Sequence, residues 1–288
     1  MPTEGGLLYR FLMAAAVAAV MLLVDRIAGG WTPGKKKKPS EEGEKPNHAR
    51  TLVHVGHVLG IFILAGSLVS GGTKGEDWLA DLLWLAGFGA LAGVLFVVSA
   101  HLGIRMLLRS RLPAEVERGN VAAGVAAAGH YVATAFIVAA SVGGEGLEMV
   151  GVSLAFFAIA QLTLHLFVVL FRALTAYDDA EEILGENLAA GVSYAGITIG
   201  LGMIIGRAAE GTFTGWVALF EGFGPALAYC VSLYVVRQFV VQTLILGAPP
   251  RLWKGKLDLA IAQERDVGLA VLEAGAYIGM ALLLGHVS

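Results

Sequence analysis

The chain has 288 residues, 57% of them hydrophobic and only 15% charged, with a mean hydropathy of +0.73; this lies outside the range of ordinary soluble domains and reads as a membrane protein. The net charge of −3 is uninformative about nucleic acid, and no clustered basic and aromatic surface supports such a partner, so none is expected. The single cysteine, Cys230, excludes an intrachain disulfide framework and a cysteine-based metal centre, and reads as a small buried apolar residue.

Eight apolar runs are long enough to cross a hydrocarbon layer about 30 Å thick: residues 7–28, 50–70, 79–105, 118–142, 148–174, 186–207, 213–246 and 261–286. None shows the alternation of a strand, so the expected fold is all-α, a polytopic integral membrane protein in contact with the lipid bilayer. The first run, Leu7 to Val24, carries Arg10 near its start and resembles a signal peptide, but Asp25 and Arg26 stand where a small-residue cleavage site belongs. The polar stretch 25–50 follows, containing Lys35, Lys36, Lys37 and Lys38. These lysines could hold anionic lipid headgroups, although fixing topology is sufficient reason for them. Basic residues concentrate after the odd-numbered runs, leaving mainly Arg10, Lys74 and Arg207 on the other side. The basic connections are therefore expected in the cytoplasm and both termini outside, in a bacterial inner membrane.

The even-numbered runs share one pattern. Asn47 is followed at +9 and +13 by Gly56 and Gly60, Asn120 by Gly129 and Ala133, Asn187 by Gly196 and Gly200, and Asp266 by Gly275 and Gly279. This predicts four parallel two-helix repeats: 1–71 (divergent, with the basic linker 25–50), 78–142, 147–208 and 212–288. The small residues fall about 180° to 220° around the helix from the amide and predict a packing seam. The opposite face carries Asn47, Thr51 and His54; Asn120, Gly124 and Tyr131; Asn187, Gly191, Tyr194 and Thr198; and Asp266, Glu273 and Tyr277. Two readings compete for it: a ring of amides at the mouth of a cation pathway, or helix caps and interhelical glue.

Glu273 lies roughly 10 Å past the start of its helix, within the hydrocarbon, and Arg237 on the preceding run is its natural partner. The pair is read either as structural or as linked to proton or ion movement. Glu221 is the other intramembrane acid, ahead of Gly222, Phe223, Gly224 and Pro225, where a bend is expected. His54, His57, His101, His130 and His165 invite a haem or metal reading, but no carboxylate accompanies them at ligand spacing, so no cofactor is expected. Gln161 and His165 share a helix face, where hydrogen bonding is the default.

The unit containing Gly119, Asn120, Ala122 and Ala123, repeated at Asn187, Ala189 and Ala190, resembles the YjfL-like family of bacterial inner-membrane proteins, built on the repeat called domain of unknown function 350. The resemblance implies location and architecture, with four tandem copies here, and no transferable activity. The residues favour a non-enzymatic ion pathway or small-solute permease. The alternatives are a scaffold or stress-response component binding partner proteins, a second copy or anionic lipid, and, third, a haem or metal carrier.

Overall fold

The computed structural model describes residues 4–27, 46–73, 77–107, 112–144, 146, 148–210, 215–251 and 254–287. The lysines at 35–38 lie outside them. The described residues form α1 (Glu4–Ile27), α2 (His48–Gly72), α3 (Trp78–Leu107), α4 (Leu112–Glu117), α5 (Val121–Ser141), α6 (Glu148–Ala173), α7 (Asp179–Leu184), α8 (Leu188–Ala209), α9 (Trp216–Val236), continued by a π-helical stretch Arg237–Ile245, α10 (Lys256–Ala262) and α11 (Val267–Val287). There is no strand among them. The eight long helices α1, α2, α3, α5, α6, α8, α9 (with its π continuation) and α11 are apolar enough to cross a membrane. A backbone in hydrocarbon must satisfy its own N–H and C=O groups, and these helices do so. The start of α1 and the end of α11 lie on one side, called here the terminal side; α2, α5, α8 and α11 start on the other, the motif side.

The molecule is two layers of helices. The inner layer is a row, α2, α5, α8, α11, each packed on the next. In the outer layer α1 lies on α2, α3 on α2 and α5, α6 on α5 and α8, and α9 on α8 and α11. Large apolar side chains such as Phe11, Leu83, Leu166 and Val217 remain exposed, the surface that meets lipid.

Inside the row backbones nearly touch. A Cβ on Gly56 would lie 2.4 Å from Ala128 Cα, one on Gly129 2.6 Å from Ala195 Cα, and one on Gly196 2.4 Å from Ala274 Cα. Gly60 makes room for the Phe96 ring, Gly200 faces the Tyr277 backbone, and Ala133 is met by Gly202. The contact is directional: the +2 and +9 residues of one helix meet the +4 and +8 residues of its successor. Gly124 and Gly191 belong to that second surface. Their Cβ atoms would lie 2.6 Å from the carbonyl oxygens of Ala49 and Ala122, so they are packing positions and not part of a polar face. Gly275 and Gly279 differ from expectation in the other sense. Neither has a neighbour within 4 Å where a Cβ would be, because α11 ends the row and has no successor.

Each of α5, α8 and α11 is preceded by a short helix, joined through one left-handed residue: Gly119 (φ 90°), Glu186 (φ 63°) and Arg265 (φ 54°). The backbone N–H groups of Asn120 and Asn187 close these turns on the carbonyls of Glu115 and Glu182, both at 2.9 Å. In the seventh crossing helical structure runs through Pro225, and the departure from α geometry comes later, at Arg237–Ile245.

Candidate functional site

The repeated amides sit at helix starts. Oδ1 of Asn47, Asn120 and Asn187 accepts from the backbone N–H of Arg50, Ala123 and Ala190, and Asp266 Oδ1 from Leu269. Each caps its own helix. The Nδ2 group reaches elsewhere. It donates to the Val116 carbonyl from Asn47 (2.7 Å), to Ile183 from Asn120 (2.8 Å) and to Ile261 from Asn187 (2.9 Å). Each acceptor lies on the short helix that precedes the next motif helix. Asn120 and Asn187 also donate to Glu115 Oε2 and Glu182 Oε2 of their own short helices. Both ends of each amide are thus occupied within the protein.

A second group of polar residues lies deeper, between α8, α9 and α11. Arg237 opens the π-helical stretch and is 2% exposed. Its Nε donates to Glu273 Oε1 at 2.8 Å and its Nη2 to Asp258 Oδ1 at 2.5 Å. Glu273 Oε1 also accepts from the Tyr277 hydroxyl (2.9 Å), and Oε2 from the Ser193 hydroxyl (2.6 Å). Asp258 Oδ2 accepts the Gly255 N–H at 3.1 Å. One guanidinium therefore faces two buried carboxylates, and both carboxylates are hydrogen-bonded at each oxygen. The wider π turn places Arg237, Gln238, Val241 and Gln242 on one buried face. Gln242 Nε2 donates to Gln238 Oε1 and to the Pro249 carbonyl, tying the following loop to the helix. Such π stretches recur at functional positions in helices.

A cavity of about 20 Å3 adjoins Glu273, lined also by Arg172, Thr175, Asp179, Ser193, Tyr194 and Arg237; its volume is that of a single water. Arg172 and Thr175 also line an open recess of about 400 Å3 at the motif side, with Tyr177 and Asp178. Arg172 Nη2 lies 3.2 Å from Asp178 Oδ1, and its Nε 3.7 Å from Asp179 Oδ2. Burial pushes the Asp179 carboxyl up to about 7, an effect the Arg172 charge partly offsets. Burial likewise raises the Tyr177 phenol well above its ordinary range. On the terminal side the same three helices bound a recess of about 610 Å3, lined by Met203, Arg207, Glu210, Tyr229, Ala281 and His286 among others. At the levels between the recess and the charge cluster, Leu201, Cys230 and Leu233 are fully buried.

The remaining singled-out residues are dispersed. Glu221 is exposed and His54 half-buried. His57 packs against Phe96 and Tyr131 with ring centroids 5.3 and 5.2 Å away, and its Nδ1 is 3.8 Å from Asp25 Oδ2. His130 instead faces His165. Asp258, Ser193 and Asp179 escape sequence reasoning. Asp258 and Asp179 sit in polar connections where acids are ordinary, and Ser193 is a lone small residue with no pattern around it; only tertiary packing brings them to Arg237 and Arg172.

Residues 3–142 and 146–287 each match the Domain of Unknown Function (DUF350) family, and each match takes in four of the eight crossings. A UPF0719 transmembrane protein of Aquifex aeolicus (strain VF5) is 25% identical over 205 residues, covering 69% of this chain and 73% of that protein. No solved structure matches the chain. An all-helical, multi-pass membrane protein carrying two copies of this domain across nearly its whole length, the chain belongs to the DUF350 family.

Proposed function

We propose that this protein is a non-enzymatic ion pathway of the bacterial inner membrane, that protons are the ion, and that Glu273 is the site they occupy. The observation that carries the reading is a membrane-buried carboxylate beside a one-water cavity that shares its wall with an open recess on the motif side. Intramembrane acids are costly and mark ion routes or structural pairs. Here two carboxylates share one arginine, so one proton restores neutrality to the trio. A space of about 20 Å3 admits a water but no metabolite, which favours protons over a small solute. The recess on the terminal side approaches the same helices and ends at Leu201, Cys230 and Leu233; transfer across that apolar layer is the gated step. In this reading the motif side faces the cytoplasm and both termini lie outside, the orientation that the distribution of basic connections supports. In this reading the row is four YjfL-like units of two crossings, with boundaries at 1–71, 78–142, 147–208 and 212–288. A scaffold that holds anionic lipid through Lys35 to Lys38, or binds a second copy or another membrane protein, is the competing reading. It is favoured by the complete occupation of the three asparagine amides.

Proteoliposomes carrying a pH gradient and a potassium-clamped potential test the proposal. The unmodified protein should dissipate the gradient, and Glu273→Gln should slow this at least tenfold. Removing one member of a buried pair costs roughly 3–5 kcal/mol, so Ser193→Ala, which leaves the charges paired, serves as the second variant and should slow flux several-fold. Absence of proton flux from the unmodified protein, or undiminished flux in folded Glu273→Gln, overturns it.

A further inference from the structure

The middle of the membrane holds a second buried polar group, at the junction of α3, α5 and α6, apart from the charge cluster. His130 is ten residues beyond Asn120, about 14 Å into its helix, and has no solvent exposure. His165 comes from α6, with ring centroids 5.6 Å apart and the planes at 70°. Between them α3 presents Gly103. A Cβ there would lie 2.1 Å from His130 Nε2 and 2.9 Å from His165 Nε2. The two nitrogens thus point at one spot and are within about 5 Å of each other. Any residue but glycine would fill that spot.

The His165 ring is oriented in the manner of a ligand. His165 Nδ1 is 2.7 Å from the Gln161 carbonyl, so Nδ1 carries the proton and Nε2 presents a lone pair. That Nε2 has no hydrogen-bond partner, and neither has either ring nitrogen of His130. One turn toward the terminal side, on the same two helices, the Thr134 hydroxyl and both ends of the Gln161 amide are also buried without partners. Unsatisfied buried donors and acceptors are costly, and native interiors seldom tolerate such a cluster without an occupant.

We propose that His130 and His165 bind one monovalent soft cation, copper(I) or silver(I), in two-coordinate fashion through their Nε2 atoms. A single centre with bonds of about 2 Å to imidazole nitrogen spans the separation. Charge selects the valence. The cost of placing an ion in a low-dielectric interior grows with the square of its charge, and no carboxylate is among these ligands to offset a divalent ion. No group of three or more His, Cys, Asp or Glu suited to a metal occurs among the described residues, which disfavours the four-coordinate preference of zinc. The site is independent of any role of Glu273.

The test uses the full-length protein in nanodiscs, titrated with silver(I) alone and with copper(I) under reductant. The expected result is one equivalent bound per chain, with X-ray absorption reporting two nitrogen neighbours and no sulfur, and a metal-dependent rise in Tm. Gly103→Ala, which keeps both ligands and fills the cradle, should weaken binding at least a hundredfold, as should His130→Phe with His165→Phe. Cys230→Ser, which removes the one thiol, should leave binding unchanged. Retention of the bound equivalent in the double histidine variant, sulfur in the coordination shell, or no stoichiometric binding by the unmodified protein overturns the proposal.

Discussion

An amide carries a donor and an acceptor on one short side chain, and positions 47, 120 and 187 use both. A carboxylate could supply the cap and not the donation. Asp266 makes only the cap to Leu269, and among the described residues no short helix follows its helix. Asn187→Asp should therefore destabilise by about 2–4 kcal/mol, since it strands the buried Ile261 carbonyl and sets a charge against Glu182. Asp266→Asn should change stability by no more than about 0.5 kcal/mol. Thermal unfolding of both variants in detergent separates these outcomes, and equal effects would sink the explanation. The cap was legible from residue type and position at the start of an apolar run. The donation was not, because its acceptors lie 69, 63 and 74 residues along the chain and are backbone atoms, which leave no mark in side-chain identity. Glu273 and Arg237 stood out as charges in hydrocarbon for the opposite reason: there, residue type alone is conspicuous.

Small residues at a fixed spacing make α2, α5, α8 and α11 into one kind of element with two unlike surfaces. Their spacing exposed the seam in the sequence. What spacing could not convey is that the seam meets the +4 and +8 positions of the following helix and not another seam, so that Gly124 and Gly191 are packing residues on the receiving surface. The consequence differs along the row. Gly129→Ala places a methyl against the Ala195 backbone, which cannot retract without moving α8, and should destabilise by about 1–3 kcal/mol. Gly275→Ala meets nothing within 4 Å and should stabilise by up to about 1 kcal/mol through helix propensity. Comparable losses in both variants, measured by the same unfolding assay, would show that α11 is covered on that face.

For the molecule as a whole, the charge on the wall of the small cavity beside Glu273 depends on pH near neutrality. Asp179 has a folded value of about 7 against an ordinary value of 3.8. A carboxyl with a raised folded value stabilises most below its unfolded value, and that contribution is lost as pH rises through the folded one. Stability should therefore fall between about pH 4 and pH 7, and Asp179→Asn should flatten that slope, with an advantage over the unmodified chain at pH 8 on the order of a few kcal/mol. Tm measured from pH 5 to pH 8 checks the sign; an unchanged slope in the variant would assign the dependence elsewhere. The eight crossings and the all-α class followed from hydropathy alone, since hydrocarbon leaves a chain few choices. The order of the row and the π stretch at Arg237 depend on contacts between distant segments, which hydropathy does not encode. The clamp formed by each asparagine also has a direction in time. During synthesis Asn47 has no acceptor until Val116, 69 residues on, has been made, and at ~5–20 residues per second that interval is roughly 3–14 s. Each pair of crossings is fastened by the pair born after it, and a chain arrested midway leaves its newest pair unfastened. Only the last is finished as soon as it is made, with an aspartate in place of the latch.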